Sequence, residues 1–273
     1  MAHVPTAPRL PRMPAVFFGH GSPMNTLERN RHTEAWRDAA RRIPRPRAVL
    51  MVSAHWYVRE TAVTAMAAPR TIHDFTGFPP ELHALRYPAP GDPALARRVG
   101  ELLAPLQVRL DDQWGLDHGT WSVLAHAYPD AGIPVVQLAI DRTQPPAFHY
   151  ALGRQLAPLR DEGVLIAGSG NVVHHLGALQ READATPYPW ALEFEDRVRR
   201  CLRERDHAPL IDYPGFGAAA THSVPTPDHY LPLLYVAGAG LDDDPLTILT
   251  EGITLASISM LSFALGRLDA PHP

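Results

Sequence analysis

Six apolar runs punctuate the chain: Ala15–Gly19, Ala48–Ala54, Thr61–Met66, Pro134–Ile140, Val164–Gly168 and Ala256–Phe263. Near-continuous apolar stretches of this length are the pattern of strands buried on both faces of a sheet. Between them, apolar positions recur at helical spacing. That spacing predicts helices over Thr33–Ile43, Pro93–Leu106, Thr120–Tyr128, Pro145–Leu159, Trp190–Arg205 and His229–Ala239. Local chemistry supports several of the ends. Asp92 stands as an N-cap ahead of Pro93 at the first helical position. Thr120 is a possible cap for the third helix, and Gly240 stops the last. Trp190–Arg205 is amphipathic, with an Arg/Glu face. Alternating strands and helices predict an α/β fold: a single domain with a central, mostly parallel or mixed β-sheet and helices on both faces. The domain is expected over residues 14–268, with residues 1–13 as a loose N-terminal tail. Thr71–Asp92 reads as a long irregular segment, and such segments often form lids or binding loops.

The chain of 273 residues carries 15 histidines. Five fall in short segments flanked by glycine, serine or aspartate: His20 in Gly19-His20-Gly21, His55 in Ala54-His55-Trp56, His118 in Asp117-His118-Gly119, His174 in Asn171-Val172-Val173-His174, and His229 in Asp228-His229-Tyr230. His20, His55 and His174 closely follow strand-like runs, and strand ends are where distant residues meet in an α/β sheet. His229 stands where its helix is expected to open. Together they predict a histidine-rich metal site holding Zn, Fe, Cu or Ni, ions that suit neutral imidazole. His174 is either a fourth ligand or an acid/base group. His118, just before a helix, lies at the positive end of the helix dipole, which favours its neutral form and a role as base. His73 and Phe75 in the long loop, with Trp56, Tyr87 and Trp121, are candidate walls for a planar ring. His83 and Arg86 are within sequence reach of a substrate carboxylate. His3, His32, His149, His207 and His272 read as surface positions, and His126, His175 and His222 as supporting or structural residues.

Composition narrows the chemistry. All 25 basic residues are arginine, so no lysine is present to form a Schiff base. A formal net charge of −4 argues against nucleic acid as a partner. The single cysteine, Cys201, excludes an internal disulfide and a cysteine-built zinc site, and reads as a structural thiol on a helix. No stretch is long and apolar enough to span a membrane, so a cytoplasmic protein is expected, monomeric or homodimeric. The nucleophile-elbow, phosphate-loop and His-Glu-x-x-His patterns are all missing.

The segments Phe18-Gly19-His20-Gly21-Ser22-Pro23-Met24 and Ser53-Ala54-His55-Trp56 resemble the first two metal segments of the LigB-type class III extradiol ring-cleavage dioxygenases, most nearly the 4,5-DOPA extradiol dioxygenase subfamily. Gly115-Leu116-Asp117-His118-Gly119-Thr120-Trp121, Gly168-Ser169-Gly170-Asn171 and Pro225-Thr226-Pro227-Asp228-His229-Tyr230 extend the resemblance, in order, over about residues 14 to 265. The resemblance implies one non-haem divalent metal, Fe(II) or Zn(II), on His20, His55 and His229, with His174 beside it as ligand or acid/base. It also implies a small-molecule catechol and O2 as the partners, and cleavage of the ring bond next to the two hydroxyls to give a muconic semialdehyde. A zinc-dependent hydrolase using the same histidines is the alternative enzyme. A non-catalytic protein with a structural zinc is the third reading, and the aromatic loop argues against it.

Overall fold

The computed structural model describes residues 12–268. Ten strands form: β1 (Ala15–Gly19), β2 (Ala48–Val58), β3 (Ala62–Thr64), β4 (Arg109–Asp111), β5 (Val135–Asp141), β6 (Val164–Gly170), β7 (Leu246–Thr250), β8 (Ile253–Thr254), β9 (Ile258–Ser259) and β10 (Ser262–Leu265). Eight build one sheet in the order β4-β3-β5-β2-β6-β1-β10-β7, while β8 and β9 pair apart from it. The central strands β5, β2, β6 and β1 run parallel. β3 joins β5, and β10 joins β1, in the antiparallel sense. The sheet is therefore mixed, with a parallel centre.

Side chains alternate across each strand, which sorts the apolar residues into two layers. Ala15 and Phe17 of β1, with Leu50 and Val52 of β2, face one layer. Val16, Phe18, Val49 and Met51 face the other. The helices are α1 (Arg31–Arg42), α2 (Pro80–Ala84), α3 (Pro93–Leu102), α4 (His118–Ala127), α5 (Pro146–Leu156), α6 (Pro189–Glu204), α7 (Ala208–Ile211), α8 (Ala218–Ser223) and α9 (Leu231–Ala239). Leu95 and Val99 of α3, Leu152 of α5, Phe194 of α6 and Leu233 of α9 cover the first layer. Trp36 of α1, Leu82 of α2 and Trp121 of α4 cover the second. Helices thus lie on both faces of the sheet.

Several element ends differ from the sequence expectation. β2 continues past Ala54 to Val58 through an irregularity, described below. The Ala256–Phe263 run divides into β9 and β10, preceded by a tight turn in which Leu255 and Ala256 take φ of 52° and 63°. α3 stops at Leu102 because Pro105 disfavours helical backbone ahead of it. α4 starts at His118, two residues before Thr120, because the Asp117 side chain is its cap. α9 starts at Leu231, so His229 lies in the turn before it. β4 and β7 escaped the apolar pattern because they are short strands at the sheet edges, with partly exposed residues.

Residues 12 and 13 are held rather than loose. Met13 is buried and its N–H donates to the Arg160 carbonyl, while Arg12 pairs with Asp161. The earlier part of the expected tail lies outside the described residues, as do His3 and His272. His32 and His149, expected at the surface, are buried. His149 Nδ1 sits 2.9 Å from the Tyr235 hydroxyl. The short side chains around them hid this in the sequence. His207 is half-buried, bonded to Tyr150. Cys201 is buried, and burial raises its thiol, as a structural role requires.

Arg160 is fully buried and ties the chain ends together. It donates to the carbonyls of Met13, Ala239 and Leu265 and pairs with buried Asp244 at 3.0 Å. Asp244→Ala leaves that guanidinium without its counter-charge and is expected to cost about 3–5 kcal/mol, read by chemical denaturation.

Burial pushes the pKa of His32 and His149 from 6.5 down to about 4, with Arg31 adding to the effect at His32. The unfolded chain takes up protons at these sites from pH 6.5 downward while the folded chain refuses them. Stability is therefore expected to be full above pH 6.5 and to fall towards pH 4. Thermal unfolding at stepped pH checks this, and His149→Gln should flatten the slope.

Candidate metal centre and substrate pocket

The carboxyl ends of the parallel strands carry the histidines. β1 ends at Gly19, and the next residue, His20, donates its backbone N–H to the Gly170 carbonyl at the end of β6. In β2, Val52 pairs with Leu138 and Tyr57 with Ile140, so four residues of β2 face one of β5. This bulge, Ser53 to Trp56, contains His55. Bulges of this kind re-aim side chains next to sites. His229 arrives from the turn before α9. Its carbonyl accepts from the Asn171 N–H at 2.9 Å, and a Cβ on Gly170 would lie 2.2 Å from that carbonyl oxygen. Only glycine lets the turn sit so close to β6.

Each of these three histidines has its Nδ1 engaged. His20 Nδ1 lies 3.0 Å from Ser169 Oγ, whose own proton goes to the Gly119 carbonyl. The hydroxyl is thus an acceptor, and His20 must be the donor. His55 Nδ1 faces Asp74 Oδ2 at 3.2 Å, and His229 Nδ1 is bonded to Asp228 Oδ2. With the proton on Nδ1, each Nε2 carries a bare lone pair. One nitrogen from each of His20, His55 and His229 lies within 4.8 Å of the others. His20 Nε2 and His55 Nε2 are 3.4 Å apart. No proton stands between them, so the contact is repulsive unless a cation fills it. Two imidazoles bound tetrahedrally to one ion at ordinary metal–nitrogen lengths would be about 3.3 Å apart. The residues present fit a metal. Burial first, then the neighbouring histidines, pushes His20 and His55 well below 6.5, which keeps both neutral as ligation requires.

His118 opens α4. Its backbone N–H donates to Asp74 Oδ1 and its Nδ1 lies 2.9 Å from Asp74 Oδ2, both at 2.9 Å. Burial works against ionised Asp74, but the hydrogen bond and charge of His118 win and hold its carboxyl below the usual range. Beneath lies a buried polar cluster. Asp117 caps α4 by accepting from Thr120 N–H, takes the Ser53 hydroxyl at 2.7 Å, and accepts from Gln137 Nε2. Burial and the charge of Asp74 raise the Asp117 carboxyl. The cluster joins the His55 bulge to the helix that begins with His118. Gly119 is required there, since a Cβ would fall 2.4 Å from Ser53 Oγ and 2.8 Å from the His55 ring.

His174 lies flat against His229, with ring centroids 3.5 Å apart and planes within 8°. An imidazole binds an ion in its own ring plane. Two parallel planes in van der Waals contact share no such point, so His174 does not complete the ligand set of His20, His55 and His229 in this arrangement. Burial, then the charge of His229, lowers its pKa to about 2.

A cavity of about 260 Å³ opens over these groups, lined by His20, His55, His118, His174 and His229 and by apolar side chains that include Phe75 and Phe78. Phe75 meets the His118 ring edge-on at 5.4 Å. The other expected wall residues sit elsewhere. Trp56 stacks on Trp114 at 5.6 Å, because the bulge turns it away from the cavity. Tyr87 is buried and spends its hydroxyl on the Tyr128 carbonyl. His73 bonds the Leu85 carbonyl and stands behind Phe75, against Trp121. Asp74, Asp117 and Asp228 were missed as supporting groups. An aspartate adjacent to a histidine in His73-Asp74, Asp117-His118 and Asp228-His229 was the available signal, although Asp74 serves histidines far from it in sequence.

Comparison with known proteins adds three findings. The family described as the catalytic LigB subunit of aromatic ring-opening dioxygenase matches residues 3–266. A relative in Escherichia coli K12 named 4,5-DOPA dioxygenase extradiol is 53% identical over 259 residues, covering 93% of this chain and 95% of the relative. A protein of Beta vulgaris with the same name is 36% identical over 230 residues, covering 82% and 85%. The crystal structure of an uncharacterized Escherichia coli K12 protein superposes with a TM-score of 0.82 at 50% identity, covering 93% of this chain and all of that one.

His20→Ala and His55→Ala are each expected to abolish stoichiometric metal binding, measured by elemental analysis after loading and desalting. Asp228→Asn removes only the partner of His229 Nδ1 and is expected to weaken metal affinity by about 10–100-fold. Retained stoichiometric metal in both alanine variants would overturn the ligand set.

Proposed function

The chain belongs to the LigB family of aromatic ring-opening dioxygenases, enzymes that use O2 and a non-haem metal to open a small aromatic ring, and we propose how its residues divide that work. The substrate is a catechol, for which DOPA, the compound in the relatives' names, is the reference. His20, His55 and His229 hold the metal, and Fe(II) is the working ion. When bound there, the metal supplies Lewis acidity and, as iron, a path for electron density between the ring and oxygen.

His118 is the base for a catechol hydroxyl. With its Nδ1 proton directed at Asp74, the free Nε2 is the acceptor, and Asp74 stabilises the imidazolium that forms. The same proton is then available to return to the opening ring. His174, held neutral by burial on the other side of His229, is a second acid/base position. Phe75 and Phe78 support the ring and keep water from the histidines. The observation that carries this reading is the convergence of three Nε2 lone pairs beside a His118–Asp74 pair in one apolar-walled cavity. Among the described residues, no helix is long and apolar enough to cross a membrane.

Oxygen uptake by anaerobically Fe(II)-loaded protein given L-DOPA or simple catechols is the direct test, with a zinc-loaded control. Uptake with a yellow product only in the iron form is expected. Catechol-independent turnover, or no oxygen uptake with any catechol, would sink the reading. His118→Ala is expected to keep the metal and lower kcat by about 10²–10⁴-fold. His174→Ala should also slow turnover with metal retained, and loss of metal in that variant would make His174 a ligand.

A further inference from the structure

The ring-binding cavity has a polar end and an apolar end. Apart from its histidines, its side chains are chiefly Phe75, Phe78, Leu176, Leu179, Leu255 and Ile258. Leu176 and Leu179 stand at the mouth and are 61% and 41% exposed, two of the five large apolar residues left exposed among the described residues. Exposed leucines gathered at a cavity mouth mark a surface that gains from contact with an apolar group. They belong to the turn that follows His174 and His175. That turn is pinned by backbone bonds from His175 N–H to the Ser257 carbonyl and from Gln180 N–H to the Leu255 carbonyl. The rim is thus a built element fixed to the same segment as His174.

Charge is distributed differently. Among the described residues no arginine lines the cavity, and the chain contains no lysine. Arg86, within sequence reach of a substrate carboxylate, turns its guanidinium back onto the carbonyls of His83 and Leu85, at 3.0 and 2.8 Å. The nearest carboxylates, Asp74 and Asp228, are engaged by histidines. A carboxylate carried on the substrate ring would have to lose water against leucine without a counter-ion, or stay in solvent and forfeit the rim contacts. The volume of about 260 Å³ falls just under the usual range of roughly 300–1,000 Å³ for ligand pockets, which suits one ring with a short substituent.

We propose that this pocket selects catechols bearing a short, uncharged, apolar ring substituent over catechols bearing an amino-acid or carboxylate group, and that Leu176 and Leu179 set the preference. The inference rests on the ring-opening reading and narrows its substrate class. The test compares kcat/KM of the Fe(II)-loaded full chain for 4-propylcatechol, 3-(3,4-dihydroxyphenyl)propionate and L-DOPA, which share a three-carbon chain and differ in charge. The propyl compound is expected to lead by about tenfold or more, mainly through KM. Equal or better turnover of either charged substrate overturns the proposal and leaves the ring-opening reading intact. Failure to turn over all three overturns that reading itself. Leu176→Arg and Leu179→Arg place a cation on an exposed rim, where the fold is not at risk. Each is expected to shift the propionate-to-propyl ratio towards the carboxylate by about tenfold. An unchanged ratio in both variants removes the leucines from specificity.

Discussion

Neutral imidazoles brought nose to nose repel, and much of this molecule is organised to hold them in that position. His20 and His55 present Nε2 atoms 3.4 Å apart with no proton between them. That arrangement survives only if every Nδ1 proton has a fixed destination and the backbone beneath cannot relax. Ser169, Asp74 and Asp228 supply the destinations. The parallel centre of the sheet supplies the rigidity, since β1, β2 and β6 are buried neighbours in continuous register. A cation placed among the nitrogens turns the repulsion into ligation, so the cost of assembling the cluster becomes affinity for metal.

Supporting groups are as specifically placed as the histidines. Asp117 is wholly buried, yet it is saturated by Ser53, Gln137 and the first turn of α4. Buried polar clusters that are fully bonded stiffen what they join. Here they join the β2 bulge bearing His55 to the helix bearing His118. Asp74 works from the opposite side, with one carboxylate oxygen facing both of those histidines. A ligand and a base therefore share a counter-charge, so the electrostatics of binding and of proton transfer are linked through one residue.

The fold was largely legible because both kinds of element leave a period in the sequence. Buried strands β1, β5 and β6 and helix α3 begin where the apolar pattern and its caps place them. Edge strands β4 and β7 leave no such trace, being short and partly exposed. The irregular end of β2 was also invisible, because a bulge depends on register against a partner strand and not on the strand's own residues. That one feature explains why Trp56 faces Trp114 and not the cavity, while its neighbour His55 faces His20.

Residue type determined the chemistry in advance. Histidines beside glycine and aspartate at strand ends, with one cysteine and no lysine, admit a histidine metal site and exclude thiolate and Schiff-base alternatives. The local sequence also determined the caps at Asp92 and the glycines that close approach demands. Only the tertiary structure decided which histidines share an ion, because ligation depends on where lone pairs point. His174 and His229 look alike in sequence, but stacking fixes their ring planes parallel and separates their roles. The same holds for the pocket walls. Aromatic side chains are read equally well as core or as cavity lining, and the packing of the chain as a whole put Phe75 in the cavity and Tyr87 in the core.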